Sequence, residues 1–201
     1  ITIQILEYLG ATEEKVGDGS WRIHAKEIAN TTIDQKLGSK IRASIVYAGP
    51  MLGRAGRLAL PPPGGDIIGR RRVDTHILAL KALGAKFEMG ERFIFSAPDG
   101  LKGADILLDE ASVTATENAI MAAVLARGTT ILRNAATEPH VQDMCNFLNT
   151  LGGQIEGIGS NVLIITGVDR LHGGEFSIGA DFIEVGSFIG AAAITGGRVR
   201  I

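Results

Sequence analysis

Leu83-Gly84-Ala85, closing an apolar helical run, followed shortly by Phe93-Ile94-Phe95-Ser96, is the pattern on which the fold turns. Glycine adopts the left-handed conformation that ends a helix without steric cost. A short run rich in aromatic and β-branched residues reads as a strand. The same order recurs on both sides: Leu9-Gly10-Ala11 precedes Trp21 to Ala25, and Leu151-Gly152-Gly153 precedes Val162 to Thr166. Each strand is followed by a second helix rich in small residues, roughly Ile41 to Arg54, Val113 to Arg127 and Phe182 to Thr195. A Gly turn and another strand then follow, at Gly56 to Leu60, Gly128 to Leu132 and Gly197 to Ile201. From the first Gly to the turn Gly the spacing is 46 residues (Gly10 to Gly56), then 44 (Gly84 to Gly128) and 44 (Gly152 to Gly196). Self-similarity at such a period means one supersecondary unit built three times, and units that alternate helix with strand predict an α/β domain. Met121 to Ala126 and Ile189 to Ile194 are apolar almost all round, which predicts helices in the interior.

Composition narrows the function classes. The chain has 201 residues, 45% of them hydrophobic, enough for a sizeable core. No apolar run reaches the roughly 18 residues of a membrane helix, and a net charge of −2 argues against a nucleic-acid partner. Ile1 is not a natural start and no cleavable leader follows it, so the chain reads as cytoplasmic and cut from something longer. Cys145 is the single cysteine; it sits in the helical run Val141 to Leu151 and reads as a buried structural thiol.

The chemistry concentrates in one loop, Pro61-Pro62-Pro63-Gly64-Gly65-Asp66-Ile67-Ile68-Gly69-Arg70-Arg71-Arg72-Val73-Asp74-Thr75-His76. Three prolines stiffen its start and three glycines permit backbone angles closed to other residues. One carboxylate and a run of guanidinium forks suit a phosphorylated substrate that must be gripped and protonated; a solvated surface turn is the plainer alternative. Ser112-Val113-Thr114 opens a helix, where a hydroxyl caps and free backbone donors face an anion.

Taken together, the loop resembles that of the UDP-N-acetylglucosamine 1-carboxyvinyltransferase family of enolpyruvyl transferases, which usually reads Pro-Gly-Gly-Cys and then Gly-x-Arg-Pro-Val-Asp-x-His. Asp66 stands at the Cys position, as in a minority of that family. The resemblance extends to Ile41-Arg42-Ala43-Ser44 with Gly49-Pro50, and to Ala111-Ser112-Val113-Thr114-Ala115-Thr116-Glu117-Asn118. It continues through Gly128-Thr129-Thr130, Asn134-Ala135-Ala136 with Glu138-Pro139, and Asp181 to Glu184.

That resemblance implies two domains, each of three α/β units in an inside-out, barrel-like arrangement with helices inside and sheets outside. Residues 1 to 179 would form the first, N-terminally truncated, and 180 to 201 the start of the second. It implies transfer of the enolpyruvyl group of phosphoenolpyruvate to UDP-N-acetylglucosamine, the first committed step of peptidoglycan synthesis, with no metal and no organic cofactor. Asp66 matches the proton donor. Arg42 and Arg71 match arginines that contact the substrates, Arg71 those bearing phosphate. Arg72, Val73, Asp74 and Thr75 match the segment cradling the uridine end, and Ser112, Val113 and Thr114 the segment binding the nucleotide diphosphate. Arg72 replaces the family's Pro and Thr114 its Gly, and Glu110 stands where some members have Lys. His76 reads as an orienting or core-edge histidine. The Lys-Asn pair that contacts phosphoenolpyruvate would precede Ile1, and the aspartate base and a further arginine would follow Ile201. Epoxide antibiotics of the fosfomycin type alkylate the family's loop thiol, so Asp66 implies resistance to them. Two rival readings remain: the shikimate-pathway enolpyruvyl transferase, which shares the fold, and a repeat-built nucleotide-binding module without catalysis.

Overall fold

The computed structural model describes residues 1–65 and 72–201. Helix α1 (Thr2–Leu9) leads into the hairpin β1 (Thr12–Gly17) and β2 (Ser20–His24). A short helix α2 (Gln35–Gly38), a 3₁₀ helix (Arg42–Tyr47), α3 (Ala48–Ala55) and β3 (Arg57–Leu60) complete the first unit. The second comprises α4 (Asp74–Ala82), the hairpin β4 (Lys86–Met89) and β5 (Phe93–Ser96), β6 (Asp105–Leu107), α5 (Val113–Ala123) and β7 (Thr129–Arg133). The third has α6 (Pro139–Thr150), the hairpin β8 (Gln154–Glu156) and β9 (Val162–Thr166), and α7 (Phe182–Thr195).

The repeat is reproduced bond for bond. After α1, Gly10 N–H donates to Glu7 O and Ala11 N–H to Leu6 O; after α4, Gly84 to Lys81 and Ala85 to Leu80; after α6, Gly152 to Asn149 and Gly153 to Leu148. This is the Schellman closure, and each Gly holds a positive φ, +113°, +94° and +94°. The carbonyl before each Gly then anchors a later segment: Leu9 O accepts from Ala29, Leu83 O from Lys102, and Leu151 O from His172. The turn glycines match as well, Gly56 O accepting from Ala97 N–H and Gly128 O from Gly167 N–H.

Among the described residues the β1-β2 hairpin stands by itself, and the two larger sheets each join two units. The strand closing one unit pairs with the hairpin of the next, giving the antiparallel order β3-β5-β4 and the mixed order β6-β7-β9-β8, with β6 parallel to β7. The helices sit inside: α5 packs against α3 and α4, and Ala119, Ile120, Ala122 and Ala123 are buried. The sheets lie outside, with Met89 69% and Leu107 67% exposed on their outer faces. Leu58, Leu60, Leu80, Leu83, Phe95, Ile120, Leu132 and Ile165 fill the space between. Cys145 is buried in α6, as its sequence setting predicts, and burial pushes its thiol up to about 11.

Four details depart from the sequence reading. The helix expected over Ile41 to Arg54 is split into the 3₁₀ turn and α3, because Pro50 has no N–H to offer the carbonyl four residues back. The first strand of each hairpin does not stand out in the sequence: Lys86–Met89 and Gln154–Glu156 alternate over only four and three residues, and Thr12-Glu13-Glu14-Lys15 is polar throughout. Gly197 to Ile201 forms no strand; β3 and β7 each pair with the hairpin of a following unit, and no such hairpin pairs with Gly197 to Ile201 among the described residues. Helix α7 spans the expected residues, yet none of them is buried, and Ile183, Phe188 and Ile189 are exposed. Its apolar surface has no layer of described residues over it.

Candidate active site

The base of the loop rests on the residues leading into the 3₁₀ helix. A side chain on Gly64 would collide with the Ser39 carbonyl, and one on Gly65, at φ +94°, would press on Arg42. Gly64 is thus required for close approach and Gly65 for its backbone angle. Asp66 and Arg71 lie outside the described residues. On the far side of the loop, Arg42 Nη2 donates to the Arg72 carbonyl at 2.6 Å, which ties the start of the 3₁₀ helix to the start of α4. Arg72 pairs with Asp74, and both remain exposed. Hydrogen bonding to that carboxylate raises the Arg72 guanidinium above its ordinary value. Asp74 also lies in the first turn of α4, where a negative charge suits the helix dipole.

Thr75 and His76 turn inward, and Thr75 Oγ1 donates to Asp109 Oδ1 at 2.7 Å. At the start of α5, Ser112 caps the helix by accepting from Ala115 N–H at 3.4 Å, Val113 is its first residue, and Thr114 Oγ1 lies 3.2 Å from His76 Nε2. The structure therefore brings Arg42, Arg72, Val73, Asp74 and Thr75 together, and links the 72–76 segment to Thr114 at the head of α5. Among the described residues no three His, Cys, Asp or Glu side chains cluster as a metal site. No helix among them is long and apolar enough to cross a membrane.

Behind this surface lies a residue that the sequence reading did not single out for a role. Asn118, on the buried face of α5, has 0% exposure. Its Oδ1 accepts from Gly49 N–H at 2.5 Å and its Nδ2 donates to Ile45 O at 3.0 Å. In an unbroken α-helix those two backbone groups would bond to each other. The carboxamide is inserted between them and bridges the junction of the 3₁₀ helix and α3. A side chain on Gly49 would collide with Asn118. Nδ2 also reaches His76 Nδ1 at 3.1 Å. His76 is 3% exposed; burial, with the Arg42 guanidinium adding to it, pulls its imidazole down to about 4, so the ring is neutral at physiological pH. A carboxamide at helical spacing from the small residues Ala115 and Ala122 was the available signal for Asn118.

A sequence profile of the EPSP synthase (3-phosphoshikimate 1-carboxyvinyltransferase) family matches residues 1–201. The chain belongs to that family. Within it, the chain is 54% identical over all 201 residues to the UDP-N-acetylglucosamine 1-carboxyvinyltransferase of Treponema denticola, of which it covers 47%. It is 51% identical over 201 residues to the enzyme of that name from Treponema pallidum, again covering 47% of it. Against that of Bradyrhizobium diazoefficiens the figure is 54% over 199 residues, covering 99% of this chain and 46% of the relative. The chain spans about half the length of these curated relatives. Among solved structures it resembles the enolpyruvyl transferase NikO of Streptomyces tendae, with a TM-score of 0.75 at 22% identity over 94% of this chain and 45% of that one. It also resembles the EPSP synthase of Acinetobacter baumannii, with a TM-score of 0.71 at 21% identity over 96% of this chain and 44% of that one. At such identities the likeness shows the EPSP synthase fold, and it agrees with the repeated α/β units of buried helices and outer sheets.

Proposed function

We propose that the protein to which these residues belong transfers the enolpyruvyl group of phosphoenolpyruvate to UDP-N-acetylglucosamine in the cytoplasm, as the first committed step of peptidoglycan synthesis. The observation that carries this is 54% identity over 201 residues to a protein named for that reaction, with the loop and the head of α5 carrying the matching motifs. Residues 1–179 form the first domain and 180–201 open the second; the uncovered apolar surface of α7 supports that boundary.

In this reading Asp66 donates a proton to the methylene carbon of phosphoenolpyruvate. The sugar hydroxyl oxygen then bonds to the adjacent carbon and gives its proton to a base. Loss of phosphate, with return of a proton from the new methyl group, leaves the enolpyruvyl ether. Arg42 and Arg71 hold the anionic groups, to which planar guanidinium forks are matched. Arg72, Val73, Asp74 and Thr75 line the uridine end. Ser112, Val113 and Thr114 present the head of α5 to the diphosphate, where helix N–H groups favour negative charge.

The test is phosphate release by the full-length protein with phosphoenolpyruvate and each acceptor. UDP-N-acetylglucosamine should support turnover and shikimate 3-phosphate should not; the reverse preference would refute the reading. Asp66→Asn keeps the shape but has no carboxyl proton, and should cost roughly 10²-fold or more in turnover. Asp66→Cys should remain active and become sensitive to fosfomycin, with the covalent adduct visible by intact mass. An Asn variant as active as wild type would remove Asp66 from the mechanism.

A further inference from the structure

The hydrogen-bond chain behind the head of α5 has a direction, and that direction ends in a donor. Asn118 Oδ1 faces the N–H of Gly49 and must be the acceptor there, which fixes the amide and makes Nδ2 the group facing His76 Nδ1. Nδ2 only donates, so Nδ1 must be the bare nitrogen of the ring. A neutral imidazole then carries its hydrogen on Nε2, and Nε2 lies 3.2 Å from Thr114 Oγ1. Thr114 therefore accepts from His76, and its own hydroxyl hydrogen remains to be given elsewhere. Among the described residues Thr114 Oγ1 has no second partner.

We infer that His76 is a positioning residue that sets the Thr114 hydroxyl as a hydrogen-bond donor to the diphosphate of the nucleotide substrate. The inference rests on the proposed function for its ligand, and on the Asn118–His76–Thr114 geometry for everything else. Arg42 acts in the same sense, because a guanidinium nearby disfavours a second, positive charge on His76. The side chain of Thr114 offers the diphosphate a donor that Gly, the usual residue here, lacks.

The experiment measures binding of UDP-N-acetylglucosamine and of uridine to the full-length protein by calorimetry. Thr114→Val keeps the shape and removes the hydroxyl; it should weaken UDP-N-acetylglucosamine about tenfold or more, the scale of one hydrogen bond to a charged group, and leave uridine unchanged. Thr114→Ser should restore the nucleotide affinity to within about threefold. Nitrogen chemical shifts of the His76 ring in the wild type should show a bare Nδ1 and a protonated Nε2 with and without ligand. If the wild type binds UDP-N-acetylglucosamine and Thr114→Val binds it equally well, the inference is overturned and the proposed function stands. Equal losses for uridine and the nucleotide sugar would mean that Thr114 only shapes the site, and a ring protonated on Nδ1 would break the chain at its centre; either overturns it. A wild type that does not bind UDP-N-acetylglucosamine overturns the proposed function and this inference with it.

Discussion

Replacing Asn118 by Leu removes a carboxamide from the junction of two helical segments and leaves a side chain of similar size. Gly49 N–H and Ile45 C=O are held apart by the width of that amide, at 2.5 Å and 3.0 Å from its oxygen and nitrogen. Both belong to buried residues, so water cannot take its place without opening the α3–α5 contact. Ile45 C=O keeps its bond from Ala48 N–H, so the groups left without a partner are Gly49 N–H and His76 Nδ1, each at a cost of about 1–3 kcal/mol. The expected loss is therefore about 3–5 kcal/mol, a large fraction of the roughly 5–15 kcal/mol that holds a domain folded. Equilibrium unfolding in urea measures it, with Asn146→Leu on the exposed face of α6 as the control expected to change little. A loss below about 1 kcal/mol at an unchanged denaturant slope would show that the backbone closes on itself, and that the inserted amide is not what joins the segments.

Two further outcomes follow from buried titratable groups. His76 titrates near 4 when folded and near 6.5 in an unfolded chain. The unfolded state therefore takes up a proton that the native state refuses, and stability falls as pH drops from about 6.5 to about 4, by about 3 kcal/mol in all. Urea titrations across that window should show this component lost in His76→Gln; an identical pH dependence in the variant would refute the assignment. Cys145, 1% exposed and pushed up to about 11, should resist iodoacetamide at pH 8 in the native protein and react on unfolding. Mass spectrometry that finds native alkylation as fast as that of the unfolded chain would contradict its burial.

The sequence by itself determined what depends on neighbours along the chain. The Leu-Gly-small closures at Gly10, Gly84 and Gly152 were legible because a Schellman turn is made within six residues and needs a positive φ that glycine adopts freely. β5, β9 and α7 were readable to the residue for a similar reason, their composition and flanking turns being local. The motif residues of the loop and of the α5 head are likewise contiguous in the chain and so legible as motifs, although Asp66 and Arg71 fall outside the described residues. Tertiary structure decided the rest. That the strand of one unit pairs with the hairpin of the next is a contact between distant parts of the chain, and Gly197 to Ile201 pairs with none of the described strands. Asn118 gives no hint in the sequence that it will bridge Ile45 and Gly49, which are 73 and 69 residues away. Its carboxamide is positioned by the packing of α5 on α3. The tautomer of His76, and with it the free hydroxyl hydrogen of Thr114, follows from that amide, so it became readable only once three helices had been brought into contact.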